Sequence, residues 1–169
     1  AVAILVHEYP QHFIELCDVL LSFRLLEDDV KKEGGNESNI PKAFSALLRP
    51  RGWMERKLKA KLVVEDEDKT DEVSTDTHHI DYVKSKVAFD LEWNSKDQTF
   101  DRDLYAFRAF FEFHRIAVAV LVTRGVDLES YFACLGSYVD RNGASRKYKE
   151  KYGASTTHMN KLLPRLNAG

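Results

Sequence analysis

The stretch His79-Ile-Asp-Tyr-Val-Lys-Ser-Lys-Val-Ala-Phe-Asp-Leu-Glu-Trp-Asn94 decides how this chain is read. It divides into two short strands, His79–Val83 and Val87–Asn94, with Lys84-Ser85-Lys86 as a tight connection. Along the second strand Val87, Phe89, Leu91 and Trp93 share one face, and Ala88, Asp90, Glu92 and Asn94 share the other. Positions two apart on a strand face have Cα atoms about 6–7 Å apart, so Asp90 and Glu92 can converge on one hard cation. If the strand folds back on its predecessor, Asp81 comes alongside and three carboxylates meet. Oxygen-only ligands suit Mg²⁺, Mn²⁺ or Ca²⁺, and no Cys/His spacing argues for zinc. An Asp-x-Glu on a strand also fits a solvated face, and the periodicity by itself leaves both readings open.

Working outward, Ala1 to His7 reads as a short apolar strand. Pro10 suits the first turn of a helix, and Phe13, Leu16, Cys17, Leu20 and Phe23 recur at helical spacing up to Leu26. Gly34, Gly35 and Asn36 break the chain, and Ile40 to Leu48 forms a second helix ended near Pro50. Trp53 and the alternating Lys57-Leu58-Lys59-Ala60-Lys61-Leu62 suggest a half-buried strand. Phe100 to His114 is helical, with Asp101 and Asp103 in the first turn, where the helix dipole favours acids. Its Phe107, Phe110, Phe111 and Phe113 suit a core or a dimer surface. The β-branched run Ile116 to Thr123 is a buried strand, and Leu128 to Leu135 is a further helix. This order predicts an α/β fold with a central mixed β-sheet flanked by helices.

A chain of 169 residues with 44% hydrophobic content is the size of one domain, residues 1–169, with a sizeable core. No apolar run is long enough to span a membrane, and Ala1 to Val6 is too short for a signal peptide. Cys17 and Cys134 lie far apart and suit core thiols in a reducing cytoplasm. The net charge of −2 excludes a generally basic nucleic-acid binder, but the charge is uneven. Arg141 to Gly169 carries about +6, a footprint for a phosphate backbone. Glu65 to Glu72 is an acidic block that suits a solvated loop, and His78-His79 suits a surface pair. The chain opens with Ala1 inside an apparent strand and stops at Gly169 with no closing element, so a domain incomplete at both ends is expected.

The segment Asp81-Tyr-Val-Lys-Ser-Lys-Val-Ala-Phe-Asp90-Leu-Glu92-Trp-Asn94 resembles the active-site hairpin of the BglII/BstYI-like type II restriction endonucleases, within the PD-(D/E)XK nuclease superfamily. There an Asp ends one strand, an acid follows nine positions on, and Glu or Gln stands two further, where the superfamily more often has Lys. Gly52-Trp53 resembles the family's Gly-Trp before its first core strand, and Phe100–His114 and Ile116–Thr123 fall where it has a crossover helix and the next strand. Tyr152-Gly-Ala-Ser155-Thr156-Thr157-His158 resembles a segment of its relatives. The resemblance implies a cytoplasmic homodimer that hydrolyses double-stranded DNA at a specific sequence with Mg²⁺, Mn²⁺ substituting, and leaves 5′-phosphate ends. It implies Asp81, Asp90 and Glu92 as the catalytic, metal-binding acids. Two departures stand out: Asp90 replaces the usual Glu, and Glu92 replaces the more usual Lys, so no lysine base is assigned. Lys86 and Lys96 lie near enough in sequence to reach phosphate but equally fit a solvated surface. In the basic C-terminal segment, Arg146 and Lys147 are expected on phosphates, with Ser155, Thr156, Thr157 and His158 near the bases. The competing functions are a structure-specific repair or mobile-element nuclease, a catalytically inactive DNA-binding protein, and an interaction domain without catalysis.

Overall fold

A computed structural model describes residues 1–31, 38–65, 69–75, 79–140, 142–153 and 155–167. The helices are α1 (Val2–Glu8), α2 (Pro10–Ser22), α3 (Glu27–Lys31), α4 (Asn39–Leu48), α5 (Thr99–Glu112), α6 (Leu128–Cys134), α7 (Tyr148–Lys151) and α8 (Met159–Asn167). The strands are β1 (Met54–Lys57), β2 (Ala60–Glu65), β3 (Thr70–Thr75), β4 (His79–Lys84), β5 (Val87–Glu92), β6 (Val118–Thr123), β7 (Ser137–Val139) and β8 (Ser145–Lys147). Four of them form the central sheet in the order β1-β4-β5-β6. The first two junctions are antiparallel and β5 runs parallel to β6. A parallel neighbour needs a crossover, and α5 supplies it. The α/β fold with a mixed sheet flanked by helices is as expected.

Both faces of the sheet are covered. On one, Leu16 and Val19 of α2 and Ile40, Phe44 and Leu48 of α4 pack against Tyr82, Val87, Phe89 and Trp93. On the other, Ala106, Phe107 and Phe110 of α5 pack against Ile80, Val83 and Ala88. The face carrying Asp90 and Glu92 is therefore roofed by a helix.

The β4–β5 hairpin turns tightly at Ser85-Lys86, closing on the pair Lys84–Val87, with Ser85 at φ 53°. It is pinned to α2 by Glu15, which accepts from Lys84 Nζ at 2.7 and 2.8 Å and from Trp53 Nε1 at 2.9 Å. Gly52 takes φ +86° after a 3₁₀ turn, a conformation that favours glycine, and this delivers Trp53 fully buried to that network.

Several expectations are corrected. Ala1 to His7 is not a strand: Val2–Glu8 is helical and packs on α2. A short apolar run carries no period that separates the two. The expected strand over 57–62 is broken: β1 ends at Lys57, and Ala60 onward pairs with β3 in a separate ribbon. Parts of the acidic block lie in that ribbon, Glu65 in β2 and Asp71 and Glu72 in β3, while residues 66–68 lie outside the described residues. The same is true of His78, whereas His79 Nδ1 lies 2.9 Å from Glu55 Oε1. The basic C-terminal segment holds regular structure, with β8, α7 and α8 folded within it. Cys134 is exposed and Cys17 half-buried, so neither is a core thiol. Among the described residues no helix is long and apolar enough to cross a membrane.

Candidate active site

The site is built where β4 leaves regular pairing. Met54 faces Val83 and Arg56 faces Ile80, so β4 advances three residues while β1 advances two. That extra residue is a β-bulge, a device that re-aims a side chain. Ile80 and Val83 consequently point to the α5 side, while Tyr82 packs on the opposite face. Asp81 sits in the bulge, exposed, one step beyond the last β4–β5 pair, Tyr82–Phe89. Its backbone N–H donates to Asp90 Oδ1 at 2.7 Å. The turn that closes the hairpin and the bulge that opens it thus set the two acids side by side.

Asp90 and Glu92 are 5% and 8% exposed, too little for a solvated strand face. Burial pushes the Asp90 carboxyl up to about 8; the charges of Asp81, Asp103 and Glu92 add to this, and the hydrogen bond from Asp81 opposes it. Glu92 is raised by burial and then by Asp103, against the Ser95 and Thr99 hydroxyls. Thr99 Oγ1 donates to Glu92 Oε2 at 3.2 Å. Asp81 is also raised, by lost hydration and then by Asp103 and Glu55. Asp90 thus stands between the other two expected acids, bonded to the Asp81 backbone and feeling the charges of both Asp81 and Glu92.

It also adds two residues. Asp103, on α5, is 3% exposed, and its Oδ2 is buried with no hydrogen-bond partner among the described residues. Arg102 donates from Nε and Nη2 to Asp103 Oδ1 at 3.0 and 2.9 Å, and Nη2 lies 3.7 Å from Glu92 Oε1. The sequence alone places Asp103 only in the first turn of the helix, beside Asp101. The signal that exposes it is its place in the stripe Phe100, Asp103, Phe107, Phe110, which is buried along its length. An acid inside an apolar stripe needs a partner.

A divalent cation fits these residues chemically: the donors are all carboxylate oxygens, their charges oppose one another's ionisation, and one buried oxygen lacks a partner. Among the described residues no three His, Cys, Asp or Glu side chains form a finished metal cage as they stand.

The other expected contacts are more scattered. Arg146 and Lys147 are exposed on β8, and Arg146 Nε is 3.1 Å from Asp140 Oδ2. Residues Ser155 to Thr157 are stitched to the chain after β5: Asp97 N–H donates to Ser155 O at 3.0 Å and Thr157 N–H to Ser95 O at 2.9 Å. Arg124, buried after β6, donates from Nε to Thr157 O and from Nη1 to Tyr152 O at 2.9 and 3.2 Å, and from Nη2 to Thr156 Oγ1. Thr157 is fully buried, so its side chain is closed to DNA in this conformation, and the Thr156 hydroxyl is engaged; Ser155 is exposed and His158 half-buried. Lys86 and Lys96 are both exposed.

A family model for restriction endonuclease BglII/BglIII matches residues 1–169. The chain belongs to this family. Membership makes it a restriction-type DNA endonuclease, and the mixed sheet with its crossover helix fits that family. No curated protein matches the chain. The hairpin that resembles the BglII-type active site thus lies in a chain matched by that family from end to end.

Proposed function

We propose that this BglII-family chain is a type II enzyme that cuts both strands of a specific DNA sequence, with Asp81, Asp90 and Glu92 as its catalytic and Mg²⁺-holding acids. The observation that carries this is the burial of Asp90 and Glu92 beneath α5, with the backbone of Asp81 bonded to the Asp90 carboxylate. Buried, mutually opposed carboxylates have little structural use without a cation to offset them. When bound, Mg²⁺, or Mn²⁺ in its place, lowers the pKa of a water and stabilises charge on the phosphoryl oxygens. Asp81 and Asp90 would hold the cation at the scissile phosphate. Glu92, held by Thr99, orients the attacking water for in-line displacement, which leaves a 3′-hydroxyl and a 5′-phosphate. Arg146, Lys147 and Ser155 meet the DNA, with the basic hairpin on phosphates.

The acting form is a homodimer, one subunit for each strand of a two-fold site. Tyr105 and Phe111, exposed on α5, and Phe113 just after it offer an aromatic dimer surface. Digestion of mixed-sequence plasmid with MgCl₂, followed by sequencing of the ends, tests the reading. Discrete bands with 5′-phosphates are expected, and a smear would mean cutting without sequence choice. Asp81→Ala should abolish cleavage and keep binding measurable in CaCl₂; full cleavage by that variant removes the site assignment.

A further inference from the structure

Glu92 adds a third carboxyl group beside Asp90 and Asp103, so a DNA backbone entering this pocket meets acids. A cation does stand there, on a different element. Arg102 lies on α5, with Nη2 3.7 Å from Glu92 Oε1. Its guanidinium is fixed from below by Asp103, through Nε and Nη2 to a single carboxylate oxygen. The two partners differ sharply in exposure: the Arg102 side chain is 61% exposed and that of Asp103 is 3%. A buried anchor therefore holds a solvent-facing head group. A guanidinium has five N–H donors in a fixed fork, and Nη1 makes no hydrogen bond among the described residues. Arg49, the other guanidinium whose charge Asp81 feels, lies 4.7 Å over the Tyr82 ring. Arg102 is thus the cation in contact with the acid pocket and with donors to spare.

We propose that Arg102 is a catalytic residue of this chain: its Nη1 protons bind a non-bridging oxygen of the scissile DNA phosphate, and Asp103 is the positioning residue that aims it. This rests on the functional reading above. A guanidinium suits the task because its planar fork matches phosphate oxygens and stays charged at any working pH. It also explains Asp103 in the apolar stripe of α5: an ion pair with one member buried and one exposed costs stability, but it locks a long, mobile side chain over the pocket. Before DNA arrives, the guanidinium offsets part of the acids' repulsion.

The test uses the full chain, cleavage of a mixed-sequence plasmid in MgCl₂, and binding in CaCl₂ to a duplex that holds the mapped cut site. Arg102→Ala should lower turnover about 10²–10³-fold, the usual loss for one donor on a developing charge. Its binding should lose about one unit of salt slope, as for one missing phosphate contact. Millimolar guanidinium chloride should restore turnover at least about tenfold, with equal potassium chloride as control. Arg102→Lys, which keeps the charge and the fold but not the fork, should keep the slope and lose part of the turnover. Asp103→Asn should lower turnover in the wild-type background and add nothing to Arg102→Ala, since the two act as one unit. Wild-type turnover in Arg102→Ala overturns the proposal. So does a loss accompanied by neither a slope change nor rescue, which would mark a counter-ion of the acids only. Asp81→Ala in the same digest separates the two levels: if it cuts normally, the acid site itself falls, whatever Arg102 does.

Discussion

Replacing Asp90 with Asn should make the cation-free protein more stable and the cation-loaded protein less so. In the folded chain Asp90 holds its proton up to about pH 8, against an ordinary value of 3.8. Below pH 3.8 both folded and unfolded chains are protonated there, and the group costs nothing. As pH rises toward 8, the unfolded chain ionises while the folded chain must keep its proton, so stability falls by about 1.4 kcal/mol per pH unit. Above 8 both forms are ionised and the penalty stays at its full size. At pH 7 the group thus costs about 4 kcal/mol. Asparagine needs no proton and keeps an oxygen for the Asp81 N–H. In EDTA at pH 7, Asp90→Asn should therefore raise the melting temperature by about 8–16 °C, at about 2–4 °C per kcal/mol for a domain of this size. Its stability should also fall less steeply between pH 5 and 8, by about one proton. Asp81 and Glu92, also raised, leave a residual slope in the variant. Adding CaCl₂ should reverse the order, because the wild-type chain gains stability by binding the ion and the variant does not. Urea melts at pH 5, 6, 7 and 8, each in EDTA and in CaCl₂, measure all of this. A variant that is destabilised in EDTA at pH 8, or that keeps the wild-type slope, would refute the picture of Asp90 as a buried, charge-opposed acid.

Two further outcomes follow from other parts of the molecule. Charge reversal of Arg146 and Lys147 to Glu should lower the salt slope of DNA binding in CaCl₂ by about two units, one per lost phosphate contact; an unchanged slope would remove the β7–β8 ribbon from the interface. Arg124→Met strips the donors from the buried carbonyls of Tyr152 and Thr157, so urea unfolding should show a loss of about 2–4 kcal/mol. A loss below about 0.5 kcal/mol, the level of an ordinary surface change, would show that the clasp on residues 152–157 contributes nothing.

The parts of this molecule legible in its sequence are those set by local physics. The β4–β5 hairpin follows from period-2 alternation and a two-residue turn, both contained within sixteen residues. Helices α2, α4 and α5 follow from their apolar stripes. What could not be read depends on partners far along the chain. Whether Asp90 and Glu92 are solvated is decided by α5, which packs over them only because β6 must return parallel to β5. Asp103 meets Glu92 for the same reason. Thr157 looked available for DNA, yet its burial depends on Arg124 and Ser95, neither of which is a neighbour in sequence. Val2–Glu8 failed differently: a short apolar run carries no period, so its helical state is settled by packing on α2.

The placement of Asp81 resolves a conflict that burial of the acids would otherwise create. A cation site under a helix is protected, but a protected site cannot reach a DNA backbone. The bulge in β4 lifts one acid out of the sheet and leaves it exposed, while its own N–H stays tied to the buried Asp90. The pocket therefore has a closed floor, made by Asp90, Glu92 and Asp103, and an open lip, made by Asp81 and Arg102, which carry opposite charge. On the proposed reading, a phosphodiester approaching that lip would meet the guanidinium first, and the cation would be held between Asp81 at the lip and Asp90 on the floor. Charge separated along the depth of the pocket in this way would let one small site attract both a divalent cation and a polyanion. With Glu92 on the floor, the positive group belongs at the lip, where α5 carries Arg102.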